Sequence, residues 1–127
     1  MSWTDISPSE SAMTDIVLDL TIPPSVNATR KIDYWGHQKQ KFWFADNDKR
    51  LVFNGQHKFE PLMGRYEVLI QVSEKVMRKD LDNIVKASID YCVSRQMVRG
   101  DGPKWLRRLV VEIADVPDGC RVTLRPA

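Results

Sequence analysis

Four residues in this chain have the types and spacing to do chemistry: Asp80, Asp82, Lys86 and Asp101. Asp80 and Asp82 flank a single residue where a loop enters a predicted helix. In extended backbone, residues i and i+2 point the same way, so the two carboxylates can converge on one point. Lys86 follows Asp82 by one helical turn. Asp101 stands in a Gly-rich loop, Gly100-Asp101-Gly102, that can return towards the start of that helix. Hard carboxylate oxygens select Mg²⁺, or Mn²⁺ as its substitute. One or two such ions can activate water and stabilise the leaving oxygen of a phosphodiester. The same residues have a plainer use. Asp80 or Asp82 can cap a helix, and Asp101 before Gly102 can make a turn. Asp82 and Lys86 can form a surface ion pair stabilising by roughly 0.3–0.5 kcal/mol. Taken alone, the pattern favours the plainer use.

The elements that must position these groups follow from periodicity. Asp15 to Ile22 alternates, with Ile16, Leu18, Leu20 and Ile22 on one side, and reads as a strand stopped by Pro23-Pro24-Ser25. Gly64 to Ser73 is a second strand, with Tyr66, Val68, Ile70 and Val72 on one face. Residues 82 to 95 are a helix, whose apolar stripe is Leu81, Val85, Ile89 and Cys92. Leu106 to Ile113 is a strand, and Asp118-Gly119 turns the chain into an edge strand from Cys120 to Leu124. Residues 27 to 50 are less legible. A helix is expected over about 30 to 46, against the signal of Gly36. Its aromatic residues, Tyr34, Trp35, Phe42, Trp43 and Phe44, are expected mostly in the core, although rings among lysines can also stack on single-stranded bases. Asn54-Gly55 suggests a short hairpin joining Leu51-Val52-Phe53 to His57-Lys58-Phe59. His37 and His57 read as ordinary polar residues. The order predicts a small α+β (mixed α/β) domain, a mixed sheet packed against helices, over residues 14 to 127. Residues 1 to 13, Ser-rich, acidic and aperiodic, are expected to be a disordered and dispensable tail.

Composition sets the outer bounds. The 127 residues suit one domain, and 43% hydrophobic with 28% charged residues is a globular balance. No apolar run is long enough to span a bilayer, and no charged leader precedes an apolar stretch, so a cytoplasmic location is expected. Cys92 and Cys120 lack metal-ligand spacing and are expected to be reduced thiols, with Cys92 packed as a small apolar residue. The net charge of +2 conceals a division. The first 20 residues hold four acids and no Lys or Arg, leaving 19 bases against 13 acids in the remainder. Residues 75 to 108 carry nine bases and four acids. Such a segment suits a polyanionic partner, of which nucleic acid is the commonest.

The segment Lys79-Asp80-Leu81-Asp82-Asn83-Ile84-Val85-Lys86, followed by Asp90 and Asp101, resembles the RusA family of Holliday-junction resolvases. That family has an opening strand, a Pro-Pro-Ser-x-Asn turn, a basic loop with Asp-Leu-Asp-Asn-x-x-Lys, and an Asp-Asp pair after the helix. Ile16 to Ile22 matches the strand and Pro23-Pro24-Ser25-Val26-Asn27 the turn, so the resemblance covers about residues 14 to 125. It implies a homodimeric, Mg²⁺-dependent (or Mn²⁺-dependent) endodeoxyribonuclease that nicks four-way DNA junctions in recombination and repair. It implies Asp80, Asp82 and Asp101 as metal-site carboxylates and Lys86 as the catalytic lysine. Lys75, Arg78, Lys79, Arg99, Lys104, Arg107 and Arg108 are then expected on the DNA backbone. One departure is plain: where the family has Asp-Asp, this chain has Gly100-Asp101. Two other functions therefore stand beside the nuclease. One is a catalytically impaired junction-binding protein of the same fold. The other is a general nucleic-acid-binding module whose aspartates only cap and turn.

Overall fold

The computed structural model describes residues 15–23, 34–75, 81–116 and 119–127, with side chains from residue 39 onward in the helix that opens at Tyr34. The expected tail, the Pro-Pro-Ser turn beyond Pro23, and Arg78, Lys79, Asp80 and Asp118 lie outside the described residues. The elements are β1 (Ile16–Leu20), α1 (Tyr34–Asn54), β2 (Tyr66–Ser73), α2 (Leu81–Ser94), β3 (Leu106–Ala114) and β4 (Cys120–Pro126).

The strands form one mixed sheet in the order β1-β4-β2-β3, so the fold is α+β. β4 runs antiparallel to both β1 and β2, while β2 and β3 are parallel. A parallel pair needs a crossover, and α2 supplies it. β4 is therefore an interior strand and not the edge strand its sequence suggests. Its alternation, with Cys120, Val122 and Leu124 buried between half-buried Arg121 and Thr123, looks the same in either place. Across the sheet Leu18, Val122 and Ile70 lie side by side, as do Ile16, Leu124 and Val68. All six are buried on one face, with Leu20, Cys120 and Val72 forming the next row. Ile22, expected to continue that row, lies beyond the end of β1 and is exposed.

α1 is longer than its sequence suggests. Trp43, Asn47 and Leu51 recur every fourth residue and are buried, a stripe interrupted by polar Asn47. Asn47 is nevertheless satisfied: its Oδ1 accepts from the Thr21 backbone N–H (3.1 Å), and its Nδ2 donates to the Trp43 carbonyl (2.9 Å). Trp43 Nε1 donates in turn to the Thr21 carbonyl (3.2 Å), fastening α1 to the end of β1. Of the central aromatic trio, Trp43 is core and Phe44 half-buried, while Phe42 faces solvent.

The expected hairpin over 51–59 does not form. Asn54-Gly55 ends a helix instead. Gly55 has φ +73°, its N–H reaches the Val52 carbonyl (3.2 Å), and the Gln56 N–H reaches the Leu51 carbonyl (2.7 Å). Those two bonds are the Schellman closure of a helix end. Gln56 then meets Asp19 on β1: its side-chain amide donates to Asp19 Oδ2 (2.9 Å), and its Oε1 accepts from the Asp19 backbone N–H (3.0 Å). Arg121 on β4 donates to the other Asp19 oxygen (2.8 Å), which accounts for a buried aspartate in a strand.

In α2 the buried positions are Ile84, Ser88, Ile89, Tyr91 and Cys92, with Leu81 and Val85 only half-buried. The stripe is rotated from the expected one because Tyr91 turns inward to polar partners on α1. Among the described residues no helix is long and apolar enough to cross a membrane.

Candidate nucleic-acid and metal site

Asp82 occupies the first turn of α2 and is exposed, where the positive end of the helix dipole favours a carboxylate. Lys86 is one turn further on, yet its ion pair is with Asp90: Nζ lies 3.5 Å from Oδ2. The lysine side chain is 76% exposed and that of Asp90 32%. Beneath them, a cleft of about 90 Å³ between the helices is lined by Pro23, Gln40, Trp43, Asn83, Lys86 and Asp90.

Asp101 belongs to a different end of the molecule. Its loop closes on itself, with the Trp105 and Leu106 N–H groups both donating to the Gly102 carbonyl (3.0 and 2.9 Å). It is fastened to the start of β2: the Tyr66 hydroxyl donates to the Gly100 carbonyl (2.8 Å), and the Tyr66 N–H donates to the Trp105 carbonyl (2.8 Å). Burial, with the nearby Cys92 thiol and Asp101 carboxylate, pushes the Tyr66 phenol well above its ordinary range. It stays a neutral donor. By contrast, Ser88 of α2 lies 4.0 Å from Cys120, which pairs with Val72 at the far end of β2. Asp82 precedes Ser88 by six residues, so Asp82 and Asp101 are tied to opposite ends of the β2–α2 unit. Among the described residues no three His, Cys, Asp or Glu side chains are grouped to hold a metal ion.

The expected DNA-contacting bases divide in the same way. Lys75 leaves the C-terminal end of β2. Arg99, Lys104, Arg107 and Arg108 gather at the other end, where β3 begins beside Tyr66. Eight residues of strand between them span roughly 26 Å. Arg99 and Lys104 are held over the Trp105 ring, each with its charge 5.0 Å from the ring centroid. Arg107 is exposed and donates to the Pro103 carbonyl (3.4 Å), and Arg108 is half-buried. Trp105 also crowds the position of Gly100: a Cβ there would meet Trp105 Cδ1 at 3.0 Å, so an acidic residue would require the indole to give way by a few tenths of an ångström.

A polar cluster joins the two helices and has no counterpart in the sequence reading. Asp48 on α1 accepts from the Tyr91 hydroxyl (2.6 Å) and from Arg95 Nε and Nη2 (2.8 and 2.9 Å). Burial works to raise the Asp48 pKa, but hydrogen bonds from Arg95 and Tyr91 and the guanidinium charge prevail and hold it below its ordinary value. The Arg95 guanidinium also lies 5.3 Å from the centroids of both Phe44 and Tyr91. A cavity of about 240 Å³ opens beside it, lined by Asp48, Leu51, Val52, His57, Tyr91 and Arg95 among others. The partners are more than 40 residues apart in sequence, so no spacing signal could have found them.

No protein-family model matches this chain, and a search of curated proteins finds no related sequence.

Proposed function

We propose that the chain is a metal-dependent endodeoxyribonuclease acting on branched DNA, with its reaction centre at the head of α2. The observation that carries this reading is the exposed Asp82 carboxylate, which among the described residues has no ion pair although a lysine stands one turn away. Together with Asp80 it offers hard oxygen donors of the kind Mg²⁺ or Mn²⁺ takes. Asp80 and Asp82 would hold the ion, which when bound would supply charge neutralisation and an acidified water. The chain's own contribution is positional. The start of α2 presents Asp82, Lys86 brings a compact positive charge to that side of the helix, and the bases of 99–108 bind backbone phosphate. Asp101, expected with them, is tied to the opposite end of the β2–α2 unit and cannot share one ion with Asp82 in the same copy; Asp101→Asn tests whether it has a separate part in cleavage.

Homodimerisation has a physical motive in this reading, because a four-way junction is two-fold symmetric and paired sites can nick opposing strands. The test is cleavage of an end-labelled four-way junction and a matched linear duplex in Mg²⁺, Mn²⁺ and EDTA. Paired nicks on the junction that need the metal support the proposal. Absence of nicking under every condition overturns it.

One observation favours a second reading, a junction-binding protein that does not cleave. Gly100 stands where the resembled Asp-Asp pair has its first acid, and a Cβ there would press on Trp105 Cδ1 at 3.0 Å, so the chain is tightly packed where the family carries a carboxylate. Binding to the junction over linear DNA in EDTA, without nicking in Mg²⁺, distinguishes it. Equal affinity for both DNAs would leave a general binding module.

A further inference from the structure

The outer face of α1 carries three strongly exposed large apolar side chains, among them the most exposed of the described residues, Phe53; outside α1 only Met63, at 63%, compares with them. Phe53 is 91% exposed, Phe42 63% and Val52 59%. They are not scattered. Phe42, Asp46, Lys49 and Phe53 fall at i, i+4, i+7 and i+11 and lie within about 60° of one another around the helix. The buried stripe of Trp43, Asn47 and Leu51 faces elsewhere, so these four side chains have no role in the chain's own core. All four are exposed, and among the described residues neither Asp46 nor Lys49 forms an ion pair.

The order along this stripe is self-complementary. Apolar, acid, base, apolar reads the same when inverted with the charges exchanged. The midpoint of Phe42 and Phe53 and the midpoint of Asp46 and Lys49 coincide, between residues 47 and 48. We infer that the outer face of α1 is a homodimer interface, in which two copies of α1 pair antiparallel about a two-fold axis at the level of residues 47 and 48. In that register each Phe42 meets the other copy's Phe53, and each Asp46 meets the other copy's Lys49. An isologous interface requires this kind of reciprocity. A nucleic-acid partner would gain from Lys49 and the rings but would be repelled by Asp46 at the centre of the stripe. Four phenylalanines and four charged side chains over three helical turns fall short of the roughly 1,200–2,000 Å² of a tight complex. The dimer is accordingly concentration-dependent. The inference rests on the homodimer of the nuclease reading and adds the face and register through which the copies pair; sedimentation and the nicking assay read the two separately, so either can fail alone.

The test is sedimentation of the full chain across micromolar to sub-millimolar concentrations, with folding checked by circular dichroism. The parent should dimerise reversibly. Asp46→Lys and Lys49→Asp should each be monomeric over that range, since each places like charges across the axis. An equimolar mixture of the two should dimerise, because both cross-axis pairs are then restored with opposite sign. Misfolding of either variant cannot produce that rescue. Phe53→Glu should also be monomeric, and at 91% exposure its removal takes nothing from the fold. A parent that stays monomeric throughout overturns the inference. So does a dimer that survives these substitutions and is dissolved by Ile113→Lys, which would move the interface to Leu109, Val111 and Ile113 on β3. If Phe53→Glu instead abolishes DNA binding by a chain that is monomeric throughout, the stripe is a nucleic-acid contact and the inference again fails.

Discussion

Lys86 reaches forward along α2 to Asp90, Nζ to Oδ2 at 3.5 Å, and not back to Asp82, although both acids are one turn away. The choice leaves Asp82 exposed at the positive end of the helix, with no ion pair among the described residues. It also gives the lysine a weak partner from which it can be released, since an exposed i,i+4 pair stabilises by only about 0.3–0.5 kcal/mol.

On the nuclease reading, Lys86→Ala should lower single-turnover cleavage of a saturated junction on the order of 100- to 1,000-fold, the cost of losing one transition-state donor. Junction affinity should change far less. Asp90→Asn frees the same ammonium and should leave the rate within a few-fold of the parent. Equal, small effects from the two substitutions would reduce Lys86 to a surface residue.

Asp82→Asn should abolish cleavage and spare the fold. The amide keeps the size and much of the capping ability of the carboxylate but not its charge. Metal-free binding to DNA should be unchanged or tighter, because a negative charge facing phosphate has gone. Titration calorimetry with Mn²⁺ and a junction nicking assay read the two effects separately. A wild-type nicking rate would dismiss the metal site.

The Asp48–Tyr91–Arg95 cluster should be felt as stability. Tyr91→Phe removes the 2.6 Å bond to Asp48 and should cost about 0.5–1.5 kcal/mol in urea unfolding. Asp48→Asn should cost more at neutral pH, by about 1–2 kcal/mol after allowance for solvent screening. The sign with pH follows from the lowered Asp48 pKa. Its contribution is complete above the ordinary value of 3.8 and is lost as pH falls through the folded value. The parent and Asp48→Asn should therefore converge in stability below pH 3.8. A constant gap down to the acid limit would assign the effect to packing.

β1, β2 and β4 were legible because each alternates over five or more residues with one buried side, β3 by its run of branched apolar residues although none is fully buried, and α2 because its period is clear. What the sequence could not convey was pairing. The alternation of Cys120, Val122 and Leu124 is the same whether the strand is flanked once or twice. Asn54-Gly55 misled because a glycine at positive φ serves a hairpin and a helix end equally. The preceding residues, Leu51-Val52-Phe53, were read as strand although Leu51 completes the stripe begun by Trp43 and Asn47. At the candidate site, the head of α2 and its exposed aspartate were readable from capping chemistry. The attachment of the Asp101 loop to Tyr66 was not, because it rests on two bonds from Tyr66, to the Gly100 and Trp105 carbonyls, between residues far apart in sequence.

Gln96 ends α2 in the left-handed region at φ 61°, with its N–H on the Val93 carbonyl and the Met97 N–H on the Cys92 carbonyl, both at 3.0 Å. This is the same closure that Gly55 makes for α1, built on a residue with a Cβ. Left-handed backbone costs a side-chain-bearing residue roughly 1–2 kcal/mol. Gln96→Gly should accordingly raise stability by about 1 kcal/mol, visible as a higher thermal midpoint, while Gln96→Val lowers it.

Both cysteines should behave as core and not as reactive thiols. Burial, assisted by the neighbouring Cys120, pushes the Cys92 thiol from an ordinary 9.0 to about 12. Cys120 rises to about 11, again through burial, with Asp19 adding to it and Ser88 and the Leu20 backbone working against it. An aromatic disulfide reagent at pH 8 should label two thiols per chain in denaturant and neither at a comparable rate in the folded protein. The linkage has a definite sign. The unfolded thiols ionise near 9.0, where the folded ones are still protonated, so the unfolded state binds fewer protons between that pH and about 12. Stability should be level up to pH 9 and fall beyond it. Tyr66 and Tyr91, whose phenols are also pushed up by burial, act in the same direction at higher pH. Cys92→Ala should be less stable than the parent at pH 7 because it leaves a void, yet its stability should fall less steeply from pH 9 to 11. Parallel curves for the two proteins would show that Cys92 takes no part in the alkaline transition.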